Sequence, residues 1–75
     1  MKKIHVEKYR QIDLKIAYYR KLAGLTQEML AERLDVATSY IGQIEAAGMY
    51  KPISLTTLLR IAKALDTPAC KFLEF

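Results

Sequence analysis

Between Thr26 and Glu45 two short helical patterns stand about three residues apart. A connection that short leaves two helices few ways to pack. In the first pattern Thr26 is an N-cap and Glu28 falls in the first turn, where a negative charge suits the helix dipole. Leu30, Ala31 and Leu34 make its apolar side. "LDV" is the stop. Val36 and Ile41 then have the spacing of a hydrophobic staple around an N-cap at Ala37. Thr38 and Ser39 therefore open a second short helix that turns Ile41 and Ile44 inward. In a helix-turn-helix the second helix can enter a DNA major groove. Two packed helices without that function would show the same spacing.

The rest of the chain also reads as helix. Val6, Tyr9, Ile12, Ile16, Tyr19 and Ala23 fall three or four residues apart, one stripe of an amphipathic helix. That helix is expected to start near Val6, with a start at Asp13 after a looser arm as the alternative. Alternation in "IHVEK" leaves a short strand or an arm open. Gly24 ends it as a C-terminal glycine does. "AGMYKP" reads as a loop punctuated by Gly48 and Pro52. Ser54 caps a further helix whose apolar side holds Leu55, Leu58, Ile61, Ala62 and Leu65. Thr67 and Pro68 are a cap followed by proline at the first helical position of a last short helix, "PACKFLEF". The expected fold is all-α, with five helices in one compact domain. Residues 1–11 are a basic arm or an extension of helix one, and residues 12–75 are the domain with the helix-turn-helix.

A chain of 75 residues sets one domain and a modest core as the expectation, with no separate effector domain. Cys70 is the only cysteine and His5 the only histidine. An internal disulfide is impossible, which fits the reducing cytoplasm, and a Cys/His metal site lacks ligands. No cofactor is expected. The longest uncharged run, residues 36–44, is too short to span a membrane, and the N-terminus lacks the apolar stretch of a secretion signal. The net charge is +4, but residues 1–21 carry seven basic side chains against two acidic ones. The remainder carries five against six. A basic end attracts nucleic acid or an acidic surface, or is simply a solvated helix face.

The residues themselves carry a resemblance. "GLTQEMLAERLDVATSYIGQIE" resembles the helix-turn-helix of the lambda-repressor-like, Cro-type family, also called XRE regulators. "SLTTLLRIAKALDTPACKFL" is similar to that family's fourth and fifth helices. With Arg20 the likeness covers about residues 12–74. It implies a compact five-helix fold that binds a palindromic operator in double-stranded DNA as a homodimer and regulates transcription, most simply as a repressor. It implies that Thr38, Ser39, Gly42 and Gln43 face the groove. Helical spacing independently puts them on one side, opposite Ile41 and Ile44. Gln43 is the best base reader, since its amide can pair bidentately with adenine. Gln27 is implied to contact phosphate and buttress the recognition helix. Tyr40 is a candidate phosphate contact, with partial packing as the other reading, and Lys51 is a third phosphate candidate. Arg20 and Glu45 resemble a pair that ties helix one to helix three. Dimer contacts are expected from residues 50–53 and the C-terminal helix.

Three positions depart from the family pattern. Asp35 replaces the usual turn glycine, at a cost of about 1 kcal/mol for left-handed geometry. Ala37 replaces the usual Ser or Thr cap, worth about 1 kcal/mol. Gly42 inside the recognition helix costs about 1 kcal/mol against alanine, and either allows close approach to DNA or is tolerated.

An enzyme is not expected, because nothing pairs His5 with Cys70 and no glycine loop cradles phosphate. No small-molecule ligand is evident. The alternative function is a protein-interaction module or antitoxin-type partner on the same fold, suggested by an uncharged recognition helix and by the apolar tail Phe72, Leu73 and Phe75.

Overall fold

The structure, a computed structural model, describes residues 6–46 and 53–75. Four α-helices follow in order: α1 Val6–Leu22, α2 Gln27–Leu34, α3 Thr38–Glu45 and α4 Leu55–Ala64. A 3-10 helix, Ala69–Leu73, follows α4. There is no strand among the described residues. The expected fifth α-helix is thus corrected to a single tight 3-10 turn. Its chemistry explains this. Pro68 has no N–H and sits ahead of the first turn, and its carbonyl accepts from Lys71 N at 3.0 Å, an i to i+3 bond. Thr67 does not cap it: its hydroxyl donates backwards to the Leu65 carbonyl at 3.1 Å.

α1 is one continuous helix from Val6 through Asp13. Asp13 is not a cap but a buried side chain in mid-helix, 3% exposed. Its Oδ1 has no hydrogen-bond partner among the described residues. Burial pushes its carboxyl up to about 7.

Three helices end in the same way. Gly24, Asp35 and Asp66 each take a positive φ after the last turn, of 76°, 57° and 52°. The following residue donates back five positions: Leu25 N to Arg20 O, Val36 N to Ala31 O and Thr67 N to Ala62 O, at 3.0 to 3.1 Å. This is the Schellman closure, which satisfies carbonyls that the helix cannot. The starts are local too. Thr26 Oγ1 accepts from Met29 N at 3.1 Å, and Ser54 Oγ accepts from Thr57 N at 3.1 Å.

The core is one cluster. Ile12 and Ile16 of α1 meet Leu30, Ala31 and Leu34 of α2, Ile41 and Ile44 of α3, and Leu58, Ile61 and Ala62 of α4. Leu25, Leu65 and Phe72 complete it. Phe72 is the buried anchor of the 3-10 turn, with Ala69 packed partly against the core, and Tyr19 meets the Phe72 ring edge-on with centroids 5.3 Å apart. Two positions read as part of an apolar face fall outside the core: Ala23, just past the end of α1, is exposed, and Leu55, in the first turn of α4, is 65% exposed.

Two arginines brace α2 against α4. Arg33 Nη1 of α2 donates to the Ala64 carbonyl at 3.0 Å, and Arg60 Nη2 of α4 donates to the Leu34 carbonyl. Each side chain therefore satisfies an end carbonyl of the other's helix, where a cation also suits the dipole.

Candidate nucleic-acid interface

The connection between α2 and α3 is residues 35–37. Asp35 adopts φ 57° and ψ 47°, the left-handed conformation that the missing glycine would have eased. Ala37 is the N-cap of α3 and makes no side-chain cap bond. Val36 is half-buried against the core cluster to which buried Ile41 belongs, so the chain enters α3 through apolar packing and without a hydroxyl cap.

α3 has eight residues and two faces. Ile41 and Ile44 are buried beneath it. Thr38, Ser39 and Gln43 are exposed on the other side, and Gly42 is half-buried between the faces. Tyr40 is half-buried and packs on the core, so only part of its ring side remains accessible. No charged side chain stands among residues 38–44. The outer face is small, polar and neutral, suited to hydrogen bonding with base edges.

The far end of α3 is clamped. Arg20 Nε donates to Glu45 Oε2 at 2.7 Å and Arg20 Nη2 donates to Glu45 Oε1 at 2.9 Å, a bidentate pair. The two side chains are only 9% and 5% exposed. Arg20 Nη1 also donates to the Leu25 carbonyl at 2.7 Å. Gln27 Nε2 donates to Glu45 Oε1 at 3.1 Å. One carboxylate at the end of α3 thus holds the end of α1 and the start of α2. Such a buried charge set is sustained by its full complement of bonds, and favours one geometry more than it adds net stability.

Gln27 therefore faces inward more than sequence reasoning supposed. Its amide N–H groups serve the clamp, and its Oε1 lies 3.8 Å from where a Cβ on Gly42 would stand. Thus Gln27 lies against α3 at Gly42. That spacing is ordinary van der Waals contact, so neither space nor backbone requires glycine at position 42. The structure brings Arg20, Gln27, Gly42 and Glu45 together, and leaves Thr38, Ser39 and Gln43 on the open face. Lys51 lies outside the described residues. The family resemblance implied that Gln27 buttresses α3 but did not name Glu45 as its partner. The bracing pair Arg33 and Arg60 was missed, and nothing local marked it.

The basic residues of α1 divide. Arg10 lies 3.6 Å from Glu7 across an exposed turn. Lys8 and Lys15 stand over the ring of Phe75, at 4.7 and 5.0 Å from its centroid. No helix among the described residues is long and apolar enough to cross a membrane.

A helix-turn-helix family profile matches residues 16–72. The control protein C.SmaI of Serratia marcescens is 40% identical to the chain over 55 residues, which are 73% of this chain and 63% of that protein. The chain thus spans a little under two thirds of that relative's length. The profile covers α2, α3, α4 and the last part of α1, and carries with it Arg20, Gln27 and Glu45. The chain belongs to the XRE-type helix-turn-helix family of DNA-binding transcription regulators.

Proposed function

We propose that the chain binds a palindromic operator in double-stranded DNA as a homodimer, and represses transcription by occupying it. It would act in the cytoplasm. The observation that carries this reading is the neutral outer face of α3, open at Thr38, Ser39 and Gln43 and held in place by the clamp on Glu45. In this reading Gln43 reads a base, with adenine the best match to its amide. Thr38 and Ser39 reach base edges or phosphate, and Gly42 lets the helix backbone come close. Phosphates are met by Tyr40, by the remaining valences of Gln27, by Lys51 and by the basic residues of the N-terminal third. Backbone N–H groups at helix starts add to them. Position and specificity are separate tasks, so an uncharged reading face is no obstacle to DNA binding. Two recognition helices would then sit about 34 Å apart, one helical turn of DNA. The designation of C.SmaI as a control protein agrees with a regulatory role.

Selection of bound sites from random duplex DNA tests the reading. The expected result is a two-fold symmetric site with half-site centres one turn apart, bound with an affinity that falls steeply with salt as phosphate contacts release counterions. Gln43→Ala should change preference by about 1–3 kcal/mol at one base pair per half-site. Exposed apolar side chains on α1 and α4 favour a second reading, a protein-interaction or antitoxin-type module. Failure to enrich any duplex, with no salt response, would select that reading instead.

A further inference from the structure

Away from the open face of α3, three cations meet where α2 and α4 end. Arg33, Arg60 and Lys63 line an open pocket of about 490 Å³, with Leu34 and Ala64 as its other walls. Arg60, Lys63 and Ala64 fall three and four positions apart, on one side of α4. Arg33 Nη1 and Arg60 Nη2 are each tied to the end carbonyl of the opposite helix. A guanidinium has five N–H donors, and neither group makes another bond among the described residues. Lys63 takes no part in the brace. None of the three cations is in an ion pair among the described residues. Glu32, Asp35 and Asp66 are near them in the chain, yet none lines the pocket. Bracing accounts for the two guanidiniums. It does not account for a third cation brought beside them with no carboxylate in the lining.

We propose that this pocket binds the diphosphate group of a small molecule. Like charges gathered in one pocket repel one another, and an anion between them relieves the repulsion. Phosphate oxygens are acceptors, and a planar guanidinium can meet them two at a time. The Ala64 and Leu34 carbonyls already hold one N–H of each arginine, so both forks are oriented before the ligand arrives and less freedom is lost on binding. The volume lies within the range of small-ligand sites, about 300–1,000 Å³, which leaves room for two linked phosphates. No aromatic ring lines the pocket, so recognition falls on the phosphates and not on a base. A concavity between two helices also suits a small ligand better than the convex backbone of a duplex. The pocket is at the opposite end of α2 from Gln27 and the clamp on Glu45. An occupant would bridge α2 and α4 beside the left-handed turn at Asp35 that leads into α3.

Titration of the full 15N-labelled chain with inorganic pyrophosphate, at constant ionic strength, tests this. The amide signals of Leu34, Lys63 and Ala64 and the Nε–H signals of Arg33 and Arg60 should shift together and saturate. The melting temperature should rise with pyrophosphate concentration, as it does for any ligand of the folded state. Lys63→Gln should weaken binding at least about fivefold, with the helical circular dichroism unchanged because Lys63 is exposed and unpaired. Arg33→Lys keeps the charge but loses the planar fork, and should weaken binding as well. Lys71→Gln removes the same charge from the exposed pair with Glu74 and should leave binding unchanged. A shift that never saturates, or equal losses in Lys63→Gln and Lys71→Gln, would show only diffuse attraction of an anion to a basic chain, and the site would fall. Displacement of bound pyrophosphate by the selected operator duplex would assign the three cations to the DNA backbone and overturn the small-molecule assignment.

Discussion

Removal of Arg20 is the most informative perturbation. Arg20→Met takes away both bonds to Glu45 and the one to the Leu25 carbonyl. It leaves the Glu45 carboxylate, 5% exposed, with Gln27 as its remaining donor. Stranding one partner of a buried pair costs about 3–5 kcal/mol. A domain of 75 residues has only about 4–11 kcal/mol in all. At 4–8 °C per kcal/mol for a domain this size, the melting temperature should fall by at least about 12 °C. Arg20→Met combined with Glu45→Leu should recover most of that, since an apolar pair of similar volume often replaces a buried ion pair at no net loss. The double variant separates stability from geometry. If the clamp sets the angle of α3, the recovered protein should still bind its selected operator at least tenfold more weakly, about 1.4 kcal/mol. The assays are thermal melts of the two single variants and the double, followed by operator titration at fixed salt. A single variant that melts within a few degrees of wild type would refute the energetic argument. A double variant with wild-type operator affinity would refute the positioning role.

Gly42→Ala should raise stability by up to about 1 kcal/mol, because alanine favours helix and the new methyl meets only Gln27 Oε1, at 3.8 Å. Operator binding should nevertheless weaken, and equal or tighter binding would show that Gly42 is merely tolerated. Asp35→Gly should stabilise by about 1 kcal/mol in chemical denaturation, since its φ of 57° suits glycine better. Asp13 gives a pH signature. Its folded carboxyl lies at about 7 against 3.8 for the free side chain, so the folded state holds a proton that the unfolded state releases. Its contribution is therefore greatest below about pH 4 and is lost as pH rises through 7, by about 4 kcal/mol at full shift. Wild type should melt progressively lower between pH 5 and pH 8 while Asp13→Asn stays nearly flat, and parallel curves would reject the assignment.

Most of the helical pattern was legible because it is written locally. Apolar side chains three and four apart fixed the faces of α1, α2 and α3. Thr26 and Ser54 marked starts, and Gly24 an end, through bonds to residues three to five positions away. Asp35 and Ala37 stood out as departures from the family pattern, and the structure shows the left-handed turn and the uncapped start that their chemistry dictates. The family could be named for the same reason, since "LTQEMLAERL" and "IGQIE" are contiguous stretches.

What the tertiary structure decided involves residues far apart in the chain. Arg20 and Glu45 are 25 positions apart and Gln27 and Glu45 are 18, so their shared clamp exists only once α1, α2 and α3 have packed. Periodicity cannot tell a buried apolar position from an exposed one at the end of a helix, and Leu55 was therefore misassigned to the core. Nor can it see that the face carrying Asp13 turns into the interior, where a carboxylate loses its water. The last helix was misjudged for a related reason. Its start signal was read locally, but anchorage by one buried ring, Phe72, on α1 and α4 leaves a single 3-10 turn. Local chemistry determined which segments became helices and how they ended. Packing alone determined which of their side chains faced water, which faced one another, and what was left open to meet DNA.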